Sequence, residues 1–235
     1  MNLLDIAILG VFALFALIGW YNGFFVSLLN LAGFFLSWVC GMVFSPLVAN
    51  GILGQEKLTS ALLYYTEGAE LVADVEMRRL AVSQLSADGL NQVLSEAALP
   101  RPLDSLIAKN MAGEVFASEG ITTVGEYFNQ TIVAFTINVV SFLAVFLITW
   151  LLLSLIIHGV DYTVRLPVLK HFDGPLGAGF GAVRGFFVLF VLFMVVPTLL
   201  VVLPFPEVRE FLEESFFGPF FYGSNFLLSF MKGVV

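Results

Sequence analysis

The sequence predicts an all-α, polytopic membrane protein with four transmembrane helices and an acidic helical insertion between the second and the third. Apolar residues make up 59% of its 235 residues and charged residues only 12%, whereas a soluble domain is about one-quarter charged. The charges are also unevenly distributed, because four long apolar stretches contain only Asp5 and Arg184. A formal charge of −8 argues against nucleic-acid binding, and a single cysteine against a disulfide scaffold.

Each apolar stretch is long enough, or nearly so, to cross a bilayer, which takes roughly 20 helical residues. The alternative is a soluble protein with four buried helices, but such helices are usually shorter and amphipathic. The first stretch lacks the basic residues that open a signal peptide, so we expect a retained helix. The stretches are Leu3–Trp20, Phe24–Val48, Ile132–Ile157 and Leu176–Leu203.

A tight turn is expected between the first two stretches. Gly19 and Gly23 permit a reversal of the backbone, and Asn22 tolerates a left-handed conformation. Trp20 and Tyr21 suit the headgroup level of a membrane. These residues predict a helical hairpin.

The chain divides by composition into helices 1–2 (residues 1–48), a lobe (49–131), helices 3–4 (132–203) and a tail (204–235). The lobe has eleven acidic and five basic residues, with helical periodicity. We expect amphipathic helices there, forming a small lobe or lying along the membrane surface. The tail is rich in aromatic residues and predicts an interfacial helix or a segment packed back on the bundle.

Helix caps can be assigned at two places in the lobe. Ser86 is placed to cap a helix that begins at the next residue. Thr123 and Glu126 form a capping-box pattern, which predicts that a new helix begins there and continues into the third stretch.

Small residues recur at helical spacing in two of the stretches. Lipid tails are as apolar as leucine, so close packing through small residues is what holds membrane helices together. We expect the two glycine faces, or copies of one of them, to pack against each other; chance is the alternative, because glycine is frequent in such helices. The series are Gly177, Gly181 and Gly185 in the fourth stretch, and Gly33 and Gly41 with intervening serine in the second.

Arg184 is the one basic residue inside an apolar stretch. An arginine at mid-bilayer costs about 2.5–3.5 kcal/mol on insertion scales. It can extend towards the headgroups as an anchor, or pair with a carboxylate and set the conformation of the bundle. Asp161 and Asp173 are the nearest acidic candidates in sequence.

The other polar residues in the stretches have structural roles as their first interpretation. Asp5 is in the first turn of its helix, where capping is favoured over a proton relay. Asn30 and Asn138 suit interhelical hydrogen bonds better than substrate binding. We find no pattern typical of a catalytic nucleophile, a metal site or a cofactor site, so no enzyme activity and no cofactor are expected.

Two motifs resemble the colicin V production protein (CvpA) family. One is Leu3–Ile8 followed by Gly19, Gly23 and Phe24, similar to the opening of that family. The other is residues 176–185, which contain the glycine series and Arg184 and resemble the signature at the family's last helix. The resemblance covers roughly residues 1–48 and 131–203. Asn22 departs from the family, where a basic residue is common.

The resemblance implies a multi-pass protein of the bacterial cytoplasmic (inner) membrane. The family is named for a requirement in colicin V production, and members are linked to envelope stress. An accessory role in toxin production or export, or in envelope homeostasis, is therefore implied, with envelope or export proteins as partners. A small-solute transporter or channel formed by a homo-oligomer is the alternative. Basic residues favour the linker 158–175 inside, which places the lobe and both termini outside.

Overall fold

The computed structural model describes residues 2–161, 172–202 and 206–230. Their regular structure is helical, apart from one antiparallel bridge between Ala81 and Thr123. Short 3-10 turns lie between several of the helices. The α-helices are α1 (Leu3–Leu53), α2 (Glu56–Thr66), α3 (Val75–Arg79), α4 (Ala87–Ala97), α5 (Leu103–Ala112), α6 (Val124–Asp161), α7 (Asp173–Phe193), α8 (Val196–Val202), α9 (Pro206–Glu213), α10 (Gly218–Gly223) and α11 (Phe226–Phe230).

Three helical stretches of the described chain are long and apolar enough to cross a membrane. They are Leu3–Leu53, Val124–Gly159 and Asp173–Val201. The first of them contains two of the four stretches that the sequence predicts. How the chain passes from one of these stretches to the next therefore decides the architecture.

Helix α1 is broken at Gly23, whose φ of 77° and ψ of 176° are not helical. The Ser27 hydroxyl donates a 3.1 Å hydrogen bond to the Gly19 carbonyl, eight residues earlier. In a continuous helix these residues would be about 12 Å apart along the axis. The backbone therefore turns sharply at Gly23, and α1 consists of a first arm (residues 3–22) and a second arm (residues 24–53).

Contacts with α7 show that the turn reverses the chain. In the first arm, Phe12 faces Phe186, and Gly19 lies against Gly177, so residue numbers in the two helices run in opposite directions. In the second arm the direction is the same as in α7, as two further ring contacts show. These are Phe24 with Phe180 and Phe35 with Phe187. The expected hairpin at Gly19–Gly23 is present.

The fourth apolar stretch forms two helices where the sequence predicts one. Helix α7 ends at Phe193, and α8 begins at Val196 after a two-residue turn. Pro197 explains the break, because it has no N–H to donate and its ring collides with the carbonyl four residues earlier. Leu203, the predicted end of this stretch, lies outside the described residues.

The chain divides into two compact units, which cut across the four segments expected from composition. The first unit comprises Met1–Ser45, Ser141–Met194 and Pro206–Leu227. The second comprises Pro46–Val140, Val195–Phe205 and Leu228–Val235. Helices α1 and α6 each contribute to both units, and most of the tail belongs to the first.

The second unit contains the acidic lobe, whose helices share an apolar core. Leu103, Ile107 and Phe128 are fully buried in it. The two helix caps are formed as the sequence indicates: the Ser86 hydroxyl accepts from the amide of Gly89 at 3.1 Å. The Glu126 carboxylate accepts from the amide of Thr123 at 3.0 Å, and the Thr123 hydroxyl accepts in return from the Glu126 amide at 3.4 Å.

The aromatic tail packs back on the helices of the first unit. Phe221 is buried, and its ring lies 5.1 Å from that of Phe190 and 5.6 Å from that of Phe186. The Asn225 side chain donates a 2.9 Å hydrogen bond to the Phe190 carbonyl. The sequence predicts either an interfacial helix or a segment packed back on the bundle, and α10 with the residues around it adopts the packed arrangement.

Candidate functional site

The glycine face of α7 lies directly on the backbone of the first arm. A Cβ atom at Gly181 would collide with the carbonyl oxygen of Phe15, and one at Gly177 with the carbonyl of Gly19. A Cβ at Gly185 would lie 3.0 Å from the Phe15 Cβ. These three glycines therefore permit a backbone-to-backbone approach that a side chain would prevent.

The second glycine series packs against a different helix. A Cβ at Gly33 would lie 3.1 Å from the Cδ1 of Ile157, and one at Gly41 would lie 2.7 Å from the ring of Phe142. Both partners belong to α6. The expectation that the two series face each other is therefore corrected: each contacts its own neighbour, α7 on the first arm and the second arm on α6.

Arg184 lies in the interior of the first unit, in the middle of α7. Its side chain is 7% exposed, and its Nε atom is enclosed with no hydrogen-bond partner. The guanidinium carbon lies 4.8 Å from the centre of the Phe15 ring. A cation–π contact of this kind is worth about 0.5–2 kcal/mol. Among the residues described, the charged group makes this ring contact and no hydrogen bond or ion pair.

Asp173 does not pair with Arg184, as one interpretation of the sequence supposed. Its carboxylate accepts a 2.7 Å hydrogen bond from the amide of Phe24, the first residue after the break in α1. Asp173 also lies eleven positions before Arg184, about 16 Å along α7. It therefore caps the second arm and fixes the turn at Gly23. The side chain of Asp161, the other candidate partner, lies outside the described part of the chain.

Asp5 is fully buried and bonds in two directions. With Asn2 it forms a capping box for α1, because it accepts from the Asn2 amide at 2.9 Å while the Asn2 side chain accepts from the Asp5 amide at 3.2 Å. It also accepts from the Ser215 hydroxyl at 2.6 Å and from the amides of Phe216 and Phe217 at 3.1 and 3.0 Å. Asp5 therefore caps its own helix and also holds the tail.

Asn30 is 3% exposed, and its side-chain nitrogen has no hydrogen-bond partner. Two ring contacts align the second arm, which contains Asn30, with α7: Phe24 faces Phe180, and Phe35 faces Phe187. Interpolating between them puts Asn30 level with Arg184. Asn138 is half-buried in α6 and belongs to the second unit.

Some contacts could not be found from sequence patterns. Ser215 and the amides after it carry no motif that points to Asp5, and Asp173 follows a linker without any sign that it reaches Phe24. The sequence does show that Asp5 and Asp173 each lie in the first turn of a helix, where a carboxylate can accept from backbone amides. Within the residues described, no three His, Cys, Asp or Glu side chains converge as a metal site.

Comparison with family models identifies the chain. The model described as colicin V production protein matches residues 4–74 and 105–225. The match extends beyond the motifs at Leu3–Phe24 and at residues 176–185, into the lobe and through most of the tail. No curated protein matches the chain, and no solved structure matches it. The chain, in which the glycine face of α7 packs on the first arm of α1, belongs to the colicin V production protein family.

Proposed function

We propose that this protein crosses the bacterial cytoplasmic membrane four times. It serves as a non-enzymatic accessory factor in toxin production or export, or in envelope homeostasis. It acts by binding partner proteins of the envelope or export machinery. Membership of the colicin V production family supports a role in toxin production or in the envelope.

The reversal at Gly23 supports the four crossings. The first arm, residues 3–22, is about 30 Å long at 1.5 Å per residue, which matches a hydrocarbon core. The second arm is longer still and runs the other way. With α6 and the stretch Asp173–Val201, the two arms supply four membrane helices.

The observation that carries the accessory role is the way the first unit is filled. The carbonyl oxygens of Phe15 and Gly19 occupy the space where side chains of α7 would otherwise lie. Two acids of this unit, Asp5 and Asp173, are bonded to backbone amides of the same chain. Such groups support a packed scaffold better than a polar path for solutes.

Crosslinking from the lobe in native membranes tests this role. A photoreactive residue at Ser95, which is exposed on α4, is expected to capture an envelope or export protein. The same residue at Leu151, exposed on the apolar part of α6, is the matched control for lipid-facing positions. Crosslinks from Ser95 to copies of this chain alone would contradict the accessory role.

A second candidate is a small-solute transporter or channel formed by an oligomer. The unpartnered nitrogens of Arg184 and Asn30 favour it, because polar groups at mid-membrane mark many solute pathways. Proteoliposomes containing the chain would then show solute flux that Arg184→Ala abolishes. Flux no greater than in empty vesicles would exclude this candidate.

A further inference from the structure

The charge of Arg184 has no counter-ion among the residues that the structure describes. Its Nε is enclosed without an acceptor, and the side chain is 7% exposed. A buried guanidinium is costly unless an anion or several acceptors compensate it. The Phe15 ring, 4.8 Å away, offers only a partial compensation.

The nearby acids are already used by other parts of the chain. Asp5 is the one buried acid among the described residues, and it accepts hydrogen bonds from Ser215 and the amides beyond it. It lies ten positions before Phe15, about 15 Å along the first arm. Asp173 is bonded to the amide of Phe24. An acceptor for Arg184 therefore has to come from elsewhere.

Asn30 adds a second buried donor at the same level of the bundle. Its nitrogen also lacks a partner, and it comes from the second arm, whereas Arg184 comes from α7. Buried donors are rarely left unpaired in native proteins, because each costs about 1–3 kcal/mol when it has no acceptor. Two such donors at one level point to an acceptor that binds there.

We propose that Arg184 and Asn30 form a binding site for a small, singly charged oxyanion, a carboxylate or a phosphate group. The guanidinium fork matches both groups in a two-pronged geometry, and the Phe15 ring, 4.8 Å from the guanidinium carbon, supplies no oxygen acceptor for its N–H groups. A single negative charge neutralises the buried positive charge of Arg184. The site does not depend on the accessory role proposed above.

Thermal unfolding of the full chain in neutral detergent tests the site. The probes are sodium acetate and inorganic phosphate, each compared with sodium chloride at equal ionic strength. Saturating probe, at about a hundred times its dissociation constant, is expected to raise the unfolding midpoint by roughly 5–10 °C. Arg184→Gln is expected to abolish the rise.

The source of the anion is distinguished by repeating the measurement in nanodiscs. A rise with acetate or phosphate in detergent assigns the site to a free small anion. A rise that requires phosphatidylglycerol, and is absent in phosphatidylcholine, assigns it to the phosphate of a lipid headgroup. Either result supports an oxyanion site, provided that it is lost in Arg184→Gln.

Asn30→Asp keeps the test decisive if Arg184→Gln fails to fold. This change places a carboxylate of nearly the same shape level with Arg184, and it is expected to replace the bound anion. The variant should therefore unfold at a higher temperature than the parent without probe and should lose the response to acetate and phosphate. Asn138→Asp, which adds the same charge in α6, is the matched control and should keep that response.

Two results would overturn the proposal. One is the absence of any midpoint rise with acetate, phosphate or phosphatidylglycerol. The other is a rise of equal size in the parent and in Arg184→Gln, or in the parent and in Asn30→Asp, because the anion would then act away from these two residues.

Discussion

Asp5 and Ser215 are 210 residues apart in the chain, yet the Ser215 hydroxyl donates a 2.6 Å hydrogen bond to the Asp5 carboxylate. The same carboxylate accepts from the amides of Phe216 and Phe217, just before α10. One buried side chain of the first arm thus holds the aromatic tail against the helices. The link depends on a single carboxylate, so it can be removed by a single substitution.

Asp5→Ala is expected to loosen the tail. The substitution leaves the buried Ser215 hydroxyl and the partly buried amides of Phe216 and Phe217 without this acceptor, and an unsatisfied buried donor costs about 1–3 kcal/mol. We expect a lower unfolding midpoint in detergent. Hydrogen–deuterium exchange at residues 213–221 should become faster, because these amides lose their acceptor or its support.

The control for this prediction is Asp88→Ala in the lobe, since Asp88 is exposed on α4. It removes an equal charge without removing a buried acceptor of the tail. Unchanged exchange at residues 213–221 in Asp5→Ala would show that the Phe221 and Asn225 contacts hold the tail unaided.

Gly181→Ala and Gly179→Ala should have opposite effects, although they lie two positions apart on α7. A Cβ at Gly181 meets the Phe15 carbonyl, a backbone atom that cannot move aside, while a Cβ at Gly179 meets nothing within 4 Å. We expect Gly181→Ala to destabilise by about 1–3 kcal/mol through overpacking. Gly179→Ala should be neutral or stabilise by about 0.5–1 kcal/mol, because alanine favours the helix.

Thermal unfolding of the two variants in the same detergent measures the difference. Gly181→Leu should be more disruptive than Gly181→Ala, because its side chain is larger. Equal midpoints for the variants at positions 179 and 181 would mean that α7 does not lie on the first arm as described.

Gly23→Ala should weaken the hairpin. The φ of 77° and ψ of 176° at Gly23 fall in a region that is almost restricted to glycine, where another residue costs about 1–3 kcal/mol. A Cβ there would also collide with the Asp173 carboxylate. Gly10→Ala is the control in the same arm, because a Cβ at Gly10 meets nothing within 4 Å. If both variants unfold at the same temperature, the turn does not depend on this conformation.

The proposed four crossings, with the linker 158–175 inside, predict which sites a membrane-impermeant maleimide can reach in intact cells. In a Cys40→Ala background, Ser95→Cys in the lobe should react from outside. Phe172→Cys, which is 67% exposed beside the linker, should react only after the membrane is opened. Leu151→Cys in α6 should stay unreactive in both cases, because a water-soluble reagent does not enter lipid. Reaction of positions 95 and 172 from the same side would contradict the four crossings.

The sequence predicts local features of the fold well and long-range partners poorly. The hairpin at Gly23 and the capping box at Thr123 depend on neighbouring residues, so their patterns are visible in the chain. A glycine face has no side chain that could specify its neighbour, so the pattern at Gly181 predicts close packing but not Phe15 as the contact. For the same reason, the series at Gly33 did not reveal α6 as its partner.

The polar residues show the same limit. Asp5 caps its own helix, as its position in the first turn suggests, but nothing near it in sequence indicates Ser215. Asp173 is one of two candidate partners that the sequence offers for Arg184, but its hydrogen bond to Phe24 spans 149 residues. The Nε of Arg184 lacks an acceptor among the described residues because of the way the helices pack, which no sequence pattern records.

The contact between Gly19 and Gly177 has a consequence for biosynthesis. Because 158 positions separate them, a ribosome adding about 5–20 residues per second needs roughly 8–30 s to go from one to the other. During that time the first arm has been synthesised, but α7, the helix on which it packs, has not. The first arm can therefore pack only after α7 has been made, and a chain stopped short of α7 would leave the backbone of the arm at Phe15 and Gly19 exposed to lipid.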